Sequence, residues 1–256
     1  MGSNGFTVAK RAKNYKQPKG GFLSPTVFEK VLLDGGGIEE LHLHENVHPS
    51  LVGLTVDYLT RYMTGSKLED AFMISQMGAM RIGAFDVFDD LISMIEGLDD
   101  LSIQSAIQLT GFDVVYRQGP SYYKTVTDIE LDADTVDNVR IMVQRALHFF
   151  EIYGPKTQDD LTFEGAYTST VTAGDADFLT KDTLWDFKVS KQKLTNINTL
   201  QLLIYWRMGC HAHPSTYKKL KYIGIYNPRL NIVYRYPVEK LPSSIVDVIE
   251  KDVIGY

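Results

Sequence analysis

Apolar and polar positions follow two different periods along this chain, and the change of period divides it. Up to about residue 155 the apolar positions recur every three or four residues, the spacing of one helix face. This predicts helices over about 25–33, 50–64, 67–80, 84–96 and 101–109. A longer helix runs from Asp134 to about Tyr153, with Val136, Val139, Val143, Ala146, Leu147 and Phe150 among its apolar positions, and Gly154-Pro155 ends it. Ser24 and Pro25 suit the cap and first position of the earliest helix. Residues 122–131 are expected to be extended. Beyond 155, strands are predicted near 163–172, 175–180, 183–189, 221–227 and 231–236. One helix interrupts them, with Ile197, Leu200, Ile204 and Met208 at helical spacing, a cap at Thr195 or Asn196, and Gly209 closing it. The order implies an α/β (α+β) fold, with a central mixed sheet flanked by helices and an N-terminal helical elaboration. Residues 1–20 are expected to be a flexible basic arm and 21–256 a single domain, mostly helical over 21–155 and sheet-bearing over 156–256.

The strand pattern places chemistry on one sheet face. Side chains two apart in a strand share a face, so Asp186 and Lys188 point one way while Trp185, Phe187 and Val189 point the other. Lys181-Asp182 is a plausible hairpin turn between the runs 176–180 and 183–189. Pairing those runs brings Asp177 near Asp186. Two carboxylates suit Mg²⁺ or Mn²⁺, which prefer oxygen ligands, and a lysine beside them can position a water and stabilise charge on phosphorus. Gln201 and Tyr205 lie four residues apart and stack on one helix face. There they can reach the metal site, contact phosphates or orient Lys188.

Gly174-x-x-Asp177, Asp186-x-Lys188 and Gln201-x-x-x-Tyr205 together resemble the PD-(D/E)xK nuclease superfamily. The Gln/Tyr element is similar to that of the branch holding the RecB nuclease domain, AddB and the CRISPR-associated RecB-like exonucleases. The match runs from about Glu164, an acidic residue of the kind that branch often carries before its aspartate strand, to about Tyr236. The resemblance implies a restriction-endonuclease-like core and a metal-dependent nuclease, expected to act as an exonuclease on DNA ends or single strands in recombination, phage replication or defence. It implies Asp177, Asp186, Lys188, Gln201 and Tyr205 as catalytic positions, and Asp57, Asp177, Asp186 and Phe187 as metal-site positions. Relatives often have a G-x-x-x-H motif where this chain has Gly53 and Asp57; either Asp57 or His48 is the counterpart of that histidine. Several relatives hold an iron–sulfur cluster on four cysteines; with Cys210 alone, none is expected here. A non-cleaving nucleic-acid-binding module of the same fold is the alternative.

Composition adds compartment and partner. The net charge of −6 argues at first against nucleic acid. Its distribution reverses that: residues 1–20 carry Lys10, Arg11, Lys13, Lys16 and Lys19 without an acid, and Lys181 to Arg235 hold ten basic residues against Asp182 and Asp186. A positive stretch around the motif can steer a polyanion, so DNA is the expected partner. No apolar run approaches a membrane span and no secretory leader pattern is present. With a single cysteine, a cytoplasmic location without a membrane partner is expected. A homo-oligomer or an accessory recombination protein is the expected company. Gly35-Gly36-Gly37 lacks the Gly-Lys-Ser/Thr of a phosphate loop, and His42, His44 and His48 read as surface rather than as a metal cluster.

Overall fold

A computed structural model describes residues 5–33 and 39–256; Gly35-Gly36-Gly37 lies outside them. The chain is mixed α/β and forms two compact units: residues 1–33 with 153–256, and residues 34–152.

The first unit opens with β1 (Phe6–Thr7) and α1 (Val8–Asn14). The expected arm is therefore structured from Phe6 onward. Val8 and Ala12, four apart, bury one side of α1, while Arg11 donates to the carbonyls of Asp252 and Val253 at 2.7 and 2.8 Å. The run of lysines hid that short apolar face. Residues 25–33 are a second correction: Ser24 caps only a 3₁₀ turn (Pro25–Val27), and β2 (Glu29–Leu32) follows. Glu29 to Leu32 pair antiparallel with Arg235 to Ile232, and this pairing at a sheet edge outweighs the Ser-Pro helix signal.

The second unit carries α2 (Pro49–Met63), α3 (Leu68–Ala71), α4 (Met73–Arg81), α5 (Phe85–Ser93), α6 (Asp100–Thr110), α7 (Asp113–Gln118) and most of α8 (Ala133–Tyr153). Residues 122–131 contain the end of one 3₁₀ turn and the whole of another instead of an extended segment. Asp113 is buried here and accepts from Tyr58 and Ser75 at 2.6 Å each.

The chain then returns to the first unit with β3 (Gln158–Leu161), β4 (Val171–Ala173), β5 (Ala176–Leu179), β6 (Thr183–Phe187), α9 (Asn196–Ala212), α10 (Pro214–Tyr217), β7 (Tyr222–Asn227) and β8 (Ile232–Pro237). α11 (Ser243–Val248) and a π-helical turn (Ile249–Ile254) close it. Of the strand expected over 163–172 only 171–172 are extended, as the start of β4; the rest is a loop anchored by buried Phe163. The sheet order is β2-β8-β7-β6-β5-β3. β3, β5 and β6 form an antiparallel meander, whereas β6 and β7 are parallel. A parallel pair needs a crossover, and α9 supplies it.

β6 is buried along its whole length and α9 is buried at nearly every position from Thr199 to Cys210. Leu184, Ile223, Ile225 and Tyr234 on the sheet join Leu200, Leu203 and Ile204 of α9 in one core. Each such aliphatic side chain contributes about 2 kcal/mol on burial. Gly209 does not end the helix. It lies inside α9 because the Tyr217 ring packs on it, leaving 2.1 Å between that ring and any Cβ placed there.

Candidate metal and phosphodiester site

The site is built on the β5–β6 hairpin. Its turn closes at Lys181-Asp182 through Thr180 N–H to the Thr183 carbonyl at 3.0 Å. Phe178 pairs with Trp185 and Leu179 with Leu184. The same register carried one residue further sets Asp177 opposite Asp186. The hairpin is clamped from the other face by Trp185, fully buried, whose indole N–H donates to the Thr180 hydroxyl at 3.0 Å. Gly224 on β7 makes room for that indole: a Cβ there would stand 2.4 Å from the ring.

Asp186 is buried at 2% exposure on this central strand. Its Oδ1 lies 2.9 Å from the Lys188 ammonium, which is partly exposed. A buried carboxylate is tolerated when paired in this way. Lys188 follows the end of β6, yet its N–H still donates to the Tyr226 carbonyl of β7 at 2.9 Å, which fixes its direction. Asp177 is half-buried, and its Oδ2 accepts the Phe187 N–H at 2.5 Å. Phe187 thus contributes its main chain; its carbonyl is the one atom it could offer a cation. Gly174 of the motif has a packing role, since a Cβ there would stand 2.5 Å from Val8 of α1.

α9 supplies the remaining pair. Thr195 and Asn198 form a reciprocal capping box that fixes where it begins. Gln201 Nε2 donates to the Tyr205 hydroxyl at 2.8 Å, and both side chains are buried. Burial first, and then the Asp186 charge, push the Tyr205 phenol well above its ordinary value, with Asp177 and Asp175 adding to the effect against the lowering Gln201 bond. The phenol therefore senses all three carboxylates and stays protonated. Phe163 stacks on its ring with centroids 5.8 Å apart. Neither Phe163 nor Asp175 is legible as a neighbour in the sequence, because both lie on loops whose course depends on the packed sheet.

The remaining expected positions lie on other elements. Asp57 lies on α2 in the second unit, where Oδ1 is 3.3 Å from Nε of Arg61 one turn on. His48 caps the same helix through Nδ1, which accepts the Ser50 N–H at 3.2 Å. Glu164 is exposed and accepts from the Thr162 hydroxyl, a bond that holds its carboxyl below the usual range. His42 stands 3.4 Å from Asp134 and 3.6 Å from Asp137.

The structure therefore brings Asp177, Asp186, Lys188, Gln201 and Tyr205 into one neighbourhood. Among the described residues no group of three or more His, Cys, Asp or Glu is arranged to hold a metal. The protein's share of a site here is two carboxylates, which fits Mg²⁺ or Mn²⁺: such ions take one or two carboxylates and leave the other positions to water and phosphate. Beside Lys188 opens a cavity of about 310 Å³ that the motifs did not reveal; its lining includes Lys193, Ile197, Ile225 and Tyr234. Comparison of the chain with protein-family models, curated proteins and solved structures gives no match. Among the described residues no helix is long and apolar enough to cross a membrane.

Proposed function

We propose that this protein is an Mg²⁺- or Mn²⁺-dependent nuclease that hydrolyses DNA phosphodiester bonds, acting as an exonuclease on ends or single strands. The observation that carries this reading is the β5–β6 hairpin, where the Asp177 carboxylate takes the N–H of Phe187, the residue after Asp186, at 2.5 Å and the Lys188 ammonium stands 2.9 Å from Asp186. Asp177 and Asp186 would hold the cation. When bound, such an ion makes a coordinated water easier to deprotonate and offsets charge growing on phosphorus. Lys188 is partly open to solvent and positions the attacking water while stabilising the phosphoryl oxygens. Tyr205, kept protonated, serves as a hydrogen-bond donor and not as a base, with Gln201 fixing its hydroxyl. The unit that carries these residues holds 19 basic and 12 acidic side chains, against 7 and 20 in the other. A chain of net charge −6 can therefore still draw a polyanion to the motif, and binding should weaken steeply as salt rises.

The test is cleavage of end-labelled linear and closed circular DNA with Mg²⁺, Mn²⁺ or chelator, by the wild type and by Asp177→Asn, Asp186→Asn and Lys188→Ala. Metal-dependent cutting is expected, reduced at least about a hundredfold in each variant. Full activity in the variants sinks the assignment. Salt-sensitive binding without any cutting selects the non-cleaving module instead.

A further inference from the structure

We infer that the cavity beside Lys188 is a subsite for one nucleotide of the substrate strand, an assignment that rests on the nuclease reading above. The cavity shares Lys188 with the candidate site but is lined by neither Asp177 nor Asp186. Its chemistry is that of a nucleotide. Lys193 offers an ammonium group, Lys188 borders the cavity with its ammonium 2.9 Å from Asp186, Ile197, Ile225 and Tyr234 offer an apolar surface, and no carboxylate lines it. Ammonium groups bind phosphate as point charges, and apolar or aromatic surface accepts a base of any sequence. The volume of about 310 Å³ lies at the lower end for small-molecule sites, so it suits one nucleotide and not a longer stretch.

The walls are already built. Asn227 Nδ2 donates to the Ser190 carbonyl at 2.8 Å, and its Oδ1 accepts from Arg229 and Leu230 N–H at 3.0 and 3.2 Å. Thr195 and Asn198 also line the cavity, and their capping box fixes the start of α9. Ile197 remains 39% exposed in the first turn of a helix that is otherwise nearly all buried. A wall formed in advance loses little entropy when it binds.

The experiment is titration calorimetry in chelator with the 5′- and 3′-monophosphates of deoxyadenosine and with inorganic phosphate. It uses the wild type, Ile197→Trp and Lys193→Ala, with circular dichroism to confirm that each variant folds. One mononucleotide is expected to bind about tenfold tighter than phosphate. Ile197→Trp should remove that advantage and leave phosphate binding unchanged, whereas Lys193→Ala should weaken both. In parallel cleavage assays the mononucleotide should inhibit the wild type competitively. A mononucleotide that binds no better than phosphate, or that is indifferent to Ile197→Trp, overturns the subsite; non-competitive inhibition overturns its assignment to the substrate strand. Wild-type cleavage alongside either result leaves the nuclease reading standing. Mononucleotide binding as expected, with no cleavage under any metal, sinks the nuclease reading and leaves a nucleotide site.

Discussion

Gly209→Ala sets two opposed effects of known size against each other. Gly209 lies inside α9, one turn beyond Tyr205. Alanine is favoured over glycine in a helix interior by about 1 kcal/mol, so propensity alone predicts a stabilised variant. Packing predicts the opposite. The new methyl carbon would stand 2.1 Å from Cδ1 and Cε1 of Tyr217 and 2.5 Å from Cζ. Carbon atoms pack at about 3.5–4.0 Å, so the ring or the helix must shift by more than about 1 Å. Tyr217 is 1% exposed and has no room to yield. Overpacking of this kind costs about 1–3 kcal/mol, and the severity of this contact places it toward the upper end. The expected net loss is about 1–2 kcal/mol, read as a lower urea midpoint at unchanged slope. A double-mutant cycle isolates the cause: in a Tyr217→Ala background the clash is gone, and alanine at 209 should stabilise by about 1 kcal/mol. Stabilisation by Gly209→Ala in the wild-type background, or the same loss in both backgrounds, would refute this account of α9.

Gly224→Ala repeats the test in the sheet: a Cβ 2.4 Å from the buried Trp185 ring should destabilise by about 2 kcal/mol in urea unfolding and blunt the shift of Trp185 fluorescence. Burial works to raise the Glu250 carboxyl, but Arg207 and His211 bonded to it prevail and its pKa lies below the ordinary 4.5. A depressed carboxylate stabilises above its unfolded pKa and loses that contribution as pH falls through the folded value. Glu250→Gln should therefore cost about 1 kcal/mol at pH 7, and its stability should converge with the wild type in acid; a gap that persists below pH 3 refutes the ion pair. Because burial and the Asp186 charge hold Tyr205 protonated, wild type and Tyr205→Phe should share one alkaline limb up to about pH 10 in a cleavage profile, and a limb present only in the wild type would refute it.

The hairpin was legible in the sequence because its signal is local. The runs expected at 175–180 and 183–189 survive as the strands β5 and β6, although β6 is buried at every position and shows no alternation in exposure. α9 was equally legible, since its cap and apolar spacing lie within a few residues. What failed depended on distant partners. Glu29–Leu32 becomes a strand because β8 is there to pair with it. Val8 and Ala12 become a buried helix face because α1 packs against α9, while the C-terminal segment accepts Arg11. Gly209 reads as a helix end until Tyr217 folds back on it. The cavity was invisible for the same reason: Lys193 and Ile197 come from one stretch of chain, Ile225 and Tyr234 from two strands beyond it.

A paired charge on a central strand also decides between structural and catalytic roles for Asp186 and Lys188. A buried ion pair contributes little to stability, because desolvation of the two groups cancels most of their attraction. Replacing both partners with apolar residues of similar volume is often neutral or stabilising by about 1–4 kcal/mol. Asp186 is 2% exposed and lies in register with Ile225 of β7, so leucine meets an apolar neighbour there. The Lys188 side chain is partly buried and borders the cavity beside it. The variant Asp186→Leu/Lys188→Met is expected to unfold in urea at or above the wild-type midpoint while losing all metal-dependent cleavage. That combination is what a site kept for chemistry at the expense of stability requires. A double variant that is several kcal/mol less stable would show that the pair holds the sheet together, and the loss of cleavage would then say nothing about catalysis.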